Sequence, residues 1–440
     1  MNPLQQLGSY GQSVWFDYIR RNLLTGDGLE RLVEEDGLTG LTSNPAIFEK
    51  AIAGSTDYAA ALQSLGGCHA LTVEQVYERL ALDDIRSAAL RLQPVYAATA
   101  GRDGYVSLEV SPRFANDTAQ TIAEARRLWK ALDLPNVMIK VPATDAGVPA
   151  IEALVGQGIN VNVTLLFSAQ RYARVVEAYL RALEHRAAND FELSGVASVA
   201  SFFISRIDSA ADNIIRKRLA GSHDRHEREQ LERIEGQVAI ANAKLVYRRY
   251  RELFDGARWQ KLADRGAHTQ RLLWASTGVK NPAYRDVRYI EELIGPDTVN
   301  TMPPATMNAF RDHGVPRAAI EEDLDAAHAV LETLDRLGIS LEKITERLLE
   351  DGVQLFVTAF DRLLNAVEQG LAAAAAKHID GTGYTLPVPL GKAVQLALDD
   401  WQQEDKVHRL WARDATLWTG RDEARWMDWL GVTSERLEYL

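Results

Sequence analysis

Cysteine is nearly absent from this 440-residue sequence. The single cysteine, Cys68, lies in the loop-like stretch GGCHA, which excludes an internal disulfide and is typical of a protein from a reducing cytosol. Long apolar runs are also missing. The sequence has no stretch of about 18 or more apolar residues, which is the length needed to cross a membrane. The N-terminal MNPLQQLGSYGQ lacks the basic and apolar regions of a secretory signal. These features predict a cytoplasmic protein without a membrane partner.

Positive charge is scarce as well, with 49 Lys and Arg against 61 Asp and Glu and a net charge of −12. Nucleic-acid binding depends on basic patches, so this balance argues against a nucleic-acid partner, although a few local cations would suffice for a small anionic substrate. No P-loop and no G-x-G-x-x-G run after a strand is present, and no cofactor is predicted. His223 and His226 lie in the polar stretch GSHDRHEREQ, and we interpret them as solvated residues rather than metal ligands.

Short β-rich runs alternate along the chain with amphipathic helical patterns such as 117–131, 168–188 and 226–254. Eight such units favour an α/β fold with a closed parallel (β/α)8 barrel, a TIM barrel, over an open sheet. Uneven spacing leaves room for additional helices after the second, sixth and eighth strands. The predicted strands are 13–17, 38–43, 105–110, 137–141, 160–165, 195–200, 271–275 and 298–302.

The fourth predicted strand continues into VMIKVPAT (137–144), in which Lys140 is the only charged residue. An unpaired ammonium is costly to bury, so a lysine in this setting pairs with a carboxylate or loses its proton. A neutral amine in an apolar site is what Schiff-base chemistry with a carbonyl requires. The alternative is a lysine that is solvated or salt-bridged, which is the commoner role near a strand end.

Barrel enzymes carry their chemistry at the carboxyl ends of the strands. A polar residue that follows a strand often only caps the next helix, and this alternative applies to Asp17 and Asn44 in particular. Polar groups from seven of the eight strands around one buried lysine nevertheless favour an active site. These residues are Asp17, Asn44, Glu109, Lys140, Asn162, Thr164, Ser201 and Ser276.

Four segments in order resemble the transaldolase family: GLTSNPAIF (40–48), VMIKVPAT (137–144), INVNVTLLFS (159–168) and VASVASFFISRID (196–208). The resemblance extends from about residue 10 to residue 370. It implies a class I mechanism without metal or cofactor. In that mechanism a lysine Schiff base transfers dihydroxyacetone from sedoheptulose 7-phosphate to glyceraldehyde 3-phosphate, reversibly giving erythrose 4-phosphate and fructose 6-phosphate. The expected partners are thus small sugar phosphates of the non-oxidative pentose phosphate pathway.

The resemblance also implies a role for each catalytic residue. Lys140 is expected to attack the ketose carbonyl as the neutral amine. Glu109 is expected to move protons through a water that Thr164 also holds, and Asp17 to act as acid and base on the hydroxyl whose deprotonation starts carbon–carbon cleavage. An ion pair between Glu109 and Lys140 is the structural alternative, and it is compatible with catalysis in the resting enzyme.

The substrate-binding residues follow from the same resemblance. Asn44, Asn162 and Ser201 are expected to hydrogen-bond the three-carbon unit, because a polyol needs several neutral donors and acceptors. Phe203 is expected to line the site. The phosphate end is assigned to Arg206, Ser276 and Lys280, where Lys280 replaces a second arginine of many relatives after an insertion of about two residues. Lysine binds phosphate as a point charge, without the bidentate fork of arginine.

Two other functions compete with this interpretation. Fructose-6-phosphate aldolases resemble this chain at the lysine but carry glutamine and tyrosine where it has Glu109 and Phe203. A tyrosine hydroxyl can protonate the retained enamine and release dihydroxyacetone, so Phe203 favours transfer. A catalytically idle barrel that binds sugar phosphate or a partner is the second alternative, which the presence of Lys140, Glu109 and Asp17 disfavours.

The chain changes character near residue 378, which predicts a barrel domain at 1–377 and a C-terminal helical extension at 378–440. Glycines and prolines in 378–394 mark an irregular connection. Of the nine tryptophans, five follow it: Trp401, Trp411, Trp418, Trp426 and Trp429. They predict packing against the barrel exterior or an interface. The tail resembles the join in bacterial fusions of transaldolase with glucose-6-phosphate isomerase, so a fused or associated isomerase, a stand-alone chain and a homo-oligomer all stay open.

Overall fold

A computed structural model describes residues 2–66, 71–379, 388–404, 406–417, 421 and 425. The chain forms two compact units, Met1–Ala375 and Ala376–Leu440. Cys68 and residues 380–387 of the predicted irregular connection lie outside the described residues, as do Trp418, Trp426 and Trp429.

A closed barrel of parallel strands in sequential order forms the centre of the first unit, which confirms the predicted (β/α)8 fold. Pairing of Gln12–Asp17 with Thr298–Met302 closes the barrel. In the described residues the strands are β1 (Gln12–Asp17), β2 (Leu38–Thr42), β3 (Tyr105–Glu109), β4 (Val137–Pro142), β5 (Val161–Leu166), β6 (Ser198–Phe203), β7 (Arg271–Ala275) and β8 (Thr298–Met302).

The sixth strand differs most from its prediction, because it begins three residues later than 195–200 and ends at Phe203. The backbone N–H of Val196 bonds in a turn to Leu193, and that of Ala197 bonds to the side chain of Asn160. The backbone N–H groups of residues 196 and 197 therefore do not take part in hydrogen bonds between strands. The later register puts Ser201 inside the strand rather than beyond its end.

Helices surround the barrel, and additional ones follow β2, β6 and β8 as predicted. A further additional helix, which was not predicted, lies between β1 and β2, where there are two helices. The predicted helical stretch 226–254 is interrupted, because Gly236 at φ 70° separates two helices. The described helices are α1 (Pro3–Ser9), α2 (Arg21–Thr25), α3 (Gly28–Asp36), α4 (Pro45–Ala53), α5 (Ala59–Gly66), α6 (Val73–Ala98), α7 (Thr118–Leu132), α8 (Gly147–Gly156), α9 (Ala169–Ala188), α10 (Ser205–Gly221), α11 (Arg225–Ile234), α12 (Val238–Leu253), α13 (Ala257–Ala263), α14 (Arg288–Glu291), α15 (Pro304–His313), α16 (Leu324–Arg336), α17 (Leu341–Ile379), α18 (Val388–Gln403) and α19 (Lys406–Trp411).

Trp15 on β1 is fully buried. Gly40 on β2 makes room for it, since a Cβ atom there would lie 2.5 Å from the indole ring. The indole N–H bonds to Asp103 at 3.1 Å, and Asp103 also pairs with Arg271 at 3.0 Å. This buried ion pair closes the amino-terminal end of the barrel, which leaves the carboxyl end for a site.

The second unit contains α18 and α19 among its described residues. Helix α17 ends at Ile379 and helix α18 begins at Val388, so the prediction of an irregular connection over 378–394 is wrong at 378–379 and from 388 onward. Pro389 lies in the first turn of α18, where proline is tolerated because its missing N–H would have no intrahelical partner. Trp401 is half-buried and Trp411 is exposed. Among the described helices of both units, none is long and apolar enough to cross a membrane.

Candidate active site

Lys140 and Glu109 lie opposite each other on β4 and β3 at the same level of the barrel. The Lys140 Nζ is 3.6 Å from the Glu109 Oε2, and only about a twentieth of either side chain is exposed, at 5% and 4%. Burial raises the pKa of Glu109 to about 7, against the opposing effect of Lys140, and the negative charge of Asp17 raises it further. The predicted pair is present, and its carboxyl group is set to exchange a proton near neutral pH.

The Lys140 ammonium has a second contact that the sequence analysis missed. Its Nζ donates a hydrogen bond to the backbone carbonyl of Ser43 at 3.2 Å. The Ser43 hydroxyl in turn donates to the backbone carbonyl of Ser107 at 2.7 Å, which ties the end of β2 to β3. A main-chain acceptor carries no residue-type signal, so no sequence pattern pointed to it.

Asn162 on β5 connects two serine side chains across the barrel interior. Its Oδ1 accepts from the Ser201 hydroxyl at 2.6 Å, and its Nδ2 donates to the Ser107 Oγ at 3.0 Å. All three residues are buried. Ser107 was also missed, although it precedes Glu109 by two residues and therefore lies on the same face of β3.

Asp17 lies at the end of β1 and accepts a hydrogen bond from the Thr42 hydroxyl at 2.7 Å. Thr42 also shares a 2.7 Å hydrogen bond with Thr301 on β8, so neighbouring strands hold the carboxylate. Burial raises the pKa of Asp17, whereas Lys140, the Thr42 hydrogen bond, Arg206 and Lys280 act to lower it. Asp17 caps no helix, since Arg20 is the N-cap of α2.

Asn44 does have the capping role considered above. Its side-chain oxygen accepts from the backbone N–H of Ile47 at 3.0 Å and caps α4. The cap fixes the side chain at the mouth of the barrel while its amide group keeps donors that the cap does not use. Capping and substrate binding are compatible for this residue.

Thr164 is fully buried on β5, next to a bulge at Leu165, which has φ 59°. A bulky residue in the left-handed region is unusual and marks a constrained backbone. Within the described residues, neither the Thr164 Oγ1 nor the Glu109 Oε2 has a protein hydrogen-bond partner. Each of these buried oxygens is open to a hydrogen bond from a hydroxyl group or a water, since buried polar groups without hydrogen bonds are costly.

Phe203 and Arg206 form the wall beside the predicted phosphate end. The Phe203 ring is 5.3 Å from that of Phe167, and the Arg206 Cζ lies 5.4 Å from the Phe203 ring centre. Arg206 is half-buried, and it makes no ion pair with a carboxylate in the described part of the chain. Burial lowers the pKa of Arg206, and Asp17 opposes this effect.

The segment after β7 carries the other two predicted phosphate ligands. Ser276 adopts the left-handed region at φ 54°, and its hydroxyl lies 3.0 Å from that of Ser205 at the start of α10. Lys280 is exposed, and desolvation together with the cations of Arg206 and Lys50 lowers the pKa of its ammonium. Three cations therefore lie near one another in a protein of net negative charge.

Metal-ligating residues are not clustered in the described ranges, where no group of three or more His, Cys, Asp or Glu could hold an ion. His223 and His226 are both exposed, as predicted. The His226 Nε2 lies 2.9 Å from the Gln230 side-chain amide.

Comparisons with known proteins identify the family of the chain. A sequence model of the family described as transaldolase/fructose-6-phosphate aldolase matches residues 14–367. Transaldolase 2 of a Nostoc species is 46% identical over 371 residues, which are 84% of this chain and 97% of the relative. The transaldolase of Thiobacillus denitrificans is 47% identical over 364 residues, 83% of this chain and 99% of the relative. That of Thermobifida fusca is 46% identical over 373 residues, with 84% and 99% covered.

Proposed function

The chain is a transaldolase of the transaldolase/fructose-6-phosphate aldolase family, and we propose that Lys140 is its Schiff-base nucleophile. The observation that carries the proposal is the buried pair of Lys140 and Glu109 at the carboxyl end of the barrel. A proton that passes from the lysine to the carboxylate leaves a neutral amine next to an acid. Both are needed to add the amine to a ketose carbonyl and then expel water.

Schiff-base formation begins when the Lys140 Nζ attacks the carbonyl carbon of the donor. Glu109 protonates the resulting hydroxyl, which leaves as water and gives the iminium. The unpaired Thr164 Oγ1 suits a hydrogen bond to that water or hydroxyl, as the family resemblance implies. In the hydrolysis that ends the cycle, the same groups act in reverse.

Carbon–carbon cleavage is assigned to Asp17. Its carboxylate takes the proton from the donor hydroxyl next to the breaking bond, the product aldehyde leaves, and the bonding electrons move into the iminium to give an enamine. The enamine then attacks the acceptor aldehyde, and Asp17 returns its proton to the new alkoxide. Burial favours the protonated acid, while Lys140 and Arg206 favour the carboxylate, so Asp17 has contacts that support both states.

Binding of the three-carbon unit is assigned to Asn44, Asn162 and Ser201, and Phe203 closes the site on one side. The hydrogen bonds of Asn162 to Ser107 and Ser201 fix its side chain before substrate arrives, which lowers the entropic cost of binding. Ser107 joins this set as a residue that holds Asn162. Neutral groups of this kind suit a polyol.

The phosphate group of each sugar is assigned to Arg206, Lys280 and Ser276. The half-buried guanidinium of Arg206 supports this role, because it lies over the Phe203 ring and makes no ion pair with a carboxylate of the described residues, so its charge is available to an anion. With these residues the chain would exchange dihydroxyacetone between sedoheptulose 7-phosphate and glyceraldehyde 3-phosphate.

Fructose-6-phosphate aldolase activity is the second candidate, and one assay separates the two. We expect fructose 6-phosphate to react rapidly only when erythrose 4-phosphate is present as acceptor, with sedoheptulose 7-phosphate as a product. Release of free dihydroxyacetone at a similar rate without an acceptor would instead support the aldolase.

The second unit, Ala376–Leu440, lies outside residues 14–367 that match the family. A boundary near residue 377, a fused or associated glucose-6-phosphate isomerase, a homo-oligomer and a cytoplasmic location all stay predictions. Co-purification of the full chain with an isomerase, absent for a chain without the tail, would support the isomerase partner.

A further inference from the structure

The segment that carries Lys280 has no helix or strand of its own. It connects the end of β7 at Ala275 to the start of α14 at Arg288. A lysine side chain is flexible, so the position of its cation depends on how the backbone beneath it is held. The contacts that hold this segment therefore decide how Lys280 lies relative to Arg206, which is in the first turn of α10.

Tyr284 attaches the segment to α10. Its hydroxyl donates a 2.7 Å hydrogen bond to the Asp212 Oδ2, and the Asp212 Oδ1 accepts from the backbone N–H of Gly236 at 2.8 Å. Asp212 is buried and lies six residues after Arg206, about 9 Å along the helix axis. The helix that carries Arg206 is thus bonded to the segment that carries Lys280.

Gly236, at the corner between α11 and α12, is shaped to receive the tyrosine. Its φ of 70° suits glycine, and a Cβ atom there would lie 2.5 Å from the Tyr284 hydroxyl oxygen. The Arg288 guanidinium lies 4.6 Å from the Tyr284 ring centre and donates to the Gly236 carbonyl at 2.6 Å. We call Tyr284, Asp212, Gly236 and Arg288 the Tyr284 anchor.

We propose that the Tyr284 anchor positions Lys280 opposite Arg206 and thereby sets the preference of the enzyme for phosphorylated acceptors. The proposal rests on the phosphate site of the proposed function. Tyr284 is a positioning residue, because it acts through Lys280. No group of the anchor belongs to the catalytic set around Lys140, so its loss should affect phosphate recognition and leave the chemistry of the aldehyde intact.

A neighbouring contact offers a matched control. The Tyr289 hydroxyl donates a 2.7 Å hydrogen bond to the Asp208 Oδ2, and the Asp208 Oδ1 accepts from the backbone N–H of Ala239 at 2.7 Å. This tyrosine bonds to the same helix through the same kind of contact, but it lies within α14 rather than in the segment before it. Tyr289→Phe therefore removes a similar hydrogen bond without freeing Lys280.

The test measures kcat/KM for the acceptor, with sedoheptulose 7-phosphate as donor, for glyceraldehyde 3-phosphate and for unphosphorylated glyceraldehyde. In a ping-pong reaction this quantity reports the acceptor half-reaction alone. We expect Tyr284→Phe to lower the ratio of kcat/KM for glyceraldehyde 3-phosphate to kcat/KM for glyceraldehyde by about three- to tenfold, which is the effect of one lost hydrogen bond. The value for glyceraldehyde itself should stay within about twofold of wild type. Lys280→Ala should lower the same ratio, and the double variant should lower it no further than Lys280→Ala.

The proposal would be overturned if Tyr284→Phe lowered kcat/KM equally for both acceptors or left their ratio unchanged. It would also be overturned if Tyr289→Phe changed the ratio as much as Tyr284→Phe does. Melting temperatures of both tyrosine variants distinguish a loss of stability from a loss of acceptor selectivity. Asp212→Asn keeps a side chain that can hydrogen-bond Tyr284, so it should lower the ratio of the two kcat/KM values less than Tyr284→Phe does. Failure of the proposed function has a different signature, since the wild-type chain would then transfer dihydroxyacetone to neither acceptor.

Discussion

The Glu109 carboxylate lies 3.6 Å from the Lys140 ammonium, at the same level on the neighbouring strand. Burial disfavours the charged form of the acid and the lysine favours it, and the outcome is a Glu109 pKa of about 7. The pair can therefore hold one proton or two near neutral pH. In the proposed mechanism one proton passes from the lysine to the carboxylate, which leaves an amine that can attack the carbonyl next to an acid that can expel water.

This proton transfer predicts an acidic limb in the pH profile. Below about pH 7 a second proton binds to the pair and the amine cannot be freed, so kcat/KM for fructose 6-phosphate should fall about tenfold per pH unit. In Glu109→Gln the carboxyl group is gone, and this limb should disappear from a profile of much lower activity. Steady-state kinetics between pH 5 and 9 check the prediction, and an unchanged limb in the variant would contradict it.

Phe203→Tyr tests why the enamine survives until an acceptor arrives. The Phe203 ring lines the site between Phe167 and Arg206 and carries no proton donor. A hydroxyl added there can protonate the enamine. The rate at which free dihydroxyacetone is released from fructose 6-phosphate without an acceptor should therefore rise about tenfold or more, as expected for a positioned proton donor. Phe167→Tyr is the comparison variant, and an equal rise in both would remove the special role of residue 203.

Asn162→Ala should affect both stability and activity. Its two hydrogen bonds to Ser107 and Ser201 are buried, so their loss leaves hydroxyl groups unpaired and should lower the free energy of unfolding by about 1–3 kcal/mol. Loss of the contact to the three-carbon unit should lower kcat/KM for the donor about tenfold. Urea unfolding and donor kinetics measure the two effects, and full donor kinetics in a destabilised variant would assign Asn162 to the fold alone.

Asp208 should make stability depend on pH. Burial raises its pKa to about 6, above the value of about 3.9 expected in the unfolded chain. Between these values the folded state binds more protons than the unfolded state, so this group destabilises the protein as pH rises from about 4 to 6, by about 3 kcal/mol at most. Asparagine at this position binds no proton, so Asp208→Asn lacks this decrease. The free energy of unfolding of the variant minus that of wild type should therefore increase from pH 4.5 to 7. A difference that is constant between these pH values would show that Asp208 does not carry the effect.

The barrel and the pairing of Lys140 with Glu109 could be predicted because both depend on local pattern. Apolar β-rich runs mark strands, sequential parallel strands are neighbours, and polar residues that end neighbouring strands meet at one face. The register of β6 could not be predicted, because the side chain of Asn160 takes the N–H of Ala197 before the strand begins.

Long-range contacts account for what the sequence analysis missed. The Ser43 carbonyl that accepts from Lys140 is a main-chain group, and every residue has one. The hydrogen bond of Tyr284 to Asp212 joins residues 72 positions apart. Gly236 breaks the helical pattern of 226–254, but a single glycine within an amphipathic pattern is often tolerated, and only its positive φ reveals the corner.

Borohydride reduction of the enzyme with fructose 6-phosphate, followed by peptide mass spectrometry, tests most directly whether Lys140 forms the Schiff base. Cleavage of the bound sugar leaves a three-carbon unit on the nucleophile, and reduction makes that bond permanent. We expect a reduced three-carbon adduct on the peptide that contains Lys140, and none in Lys140→Ala. An adduct on another lysine, or one that forms equally well in Lys140→Ala, would contradict this expectation.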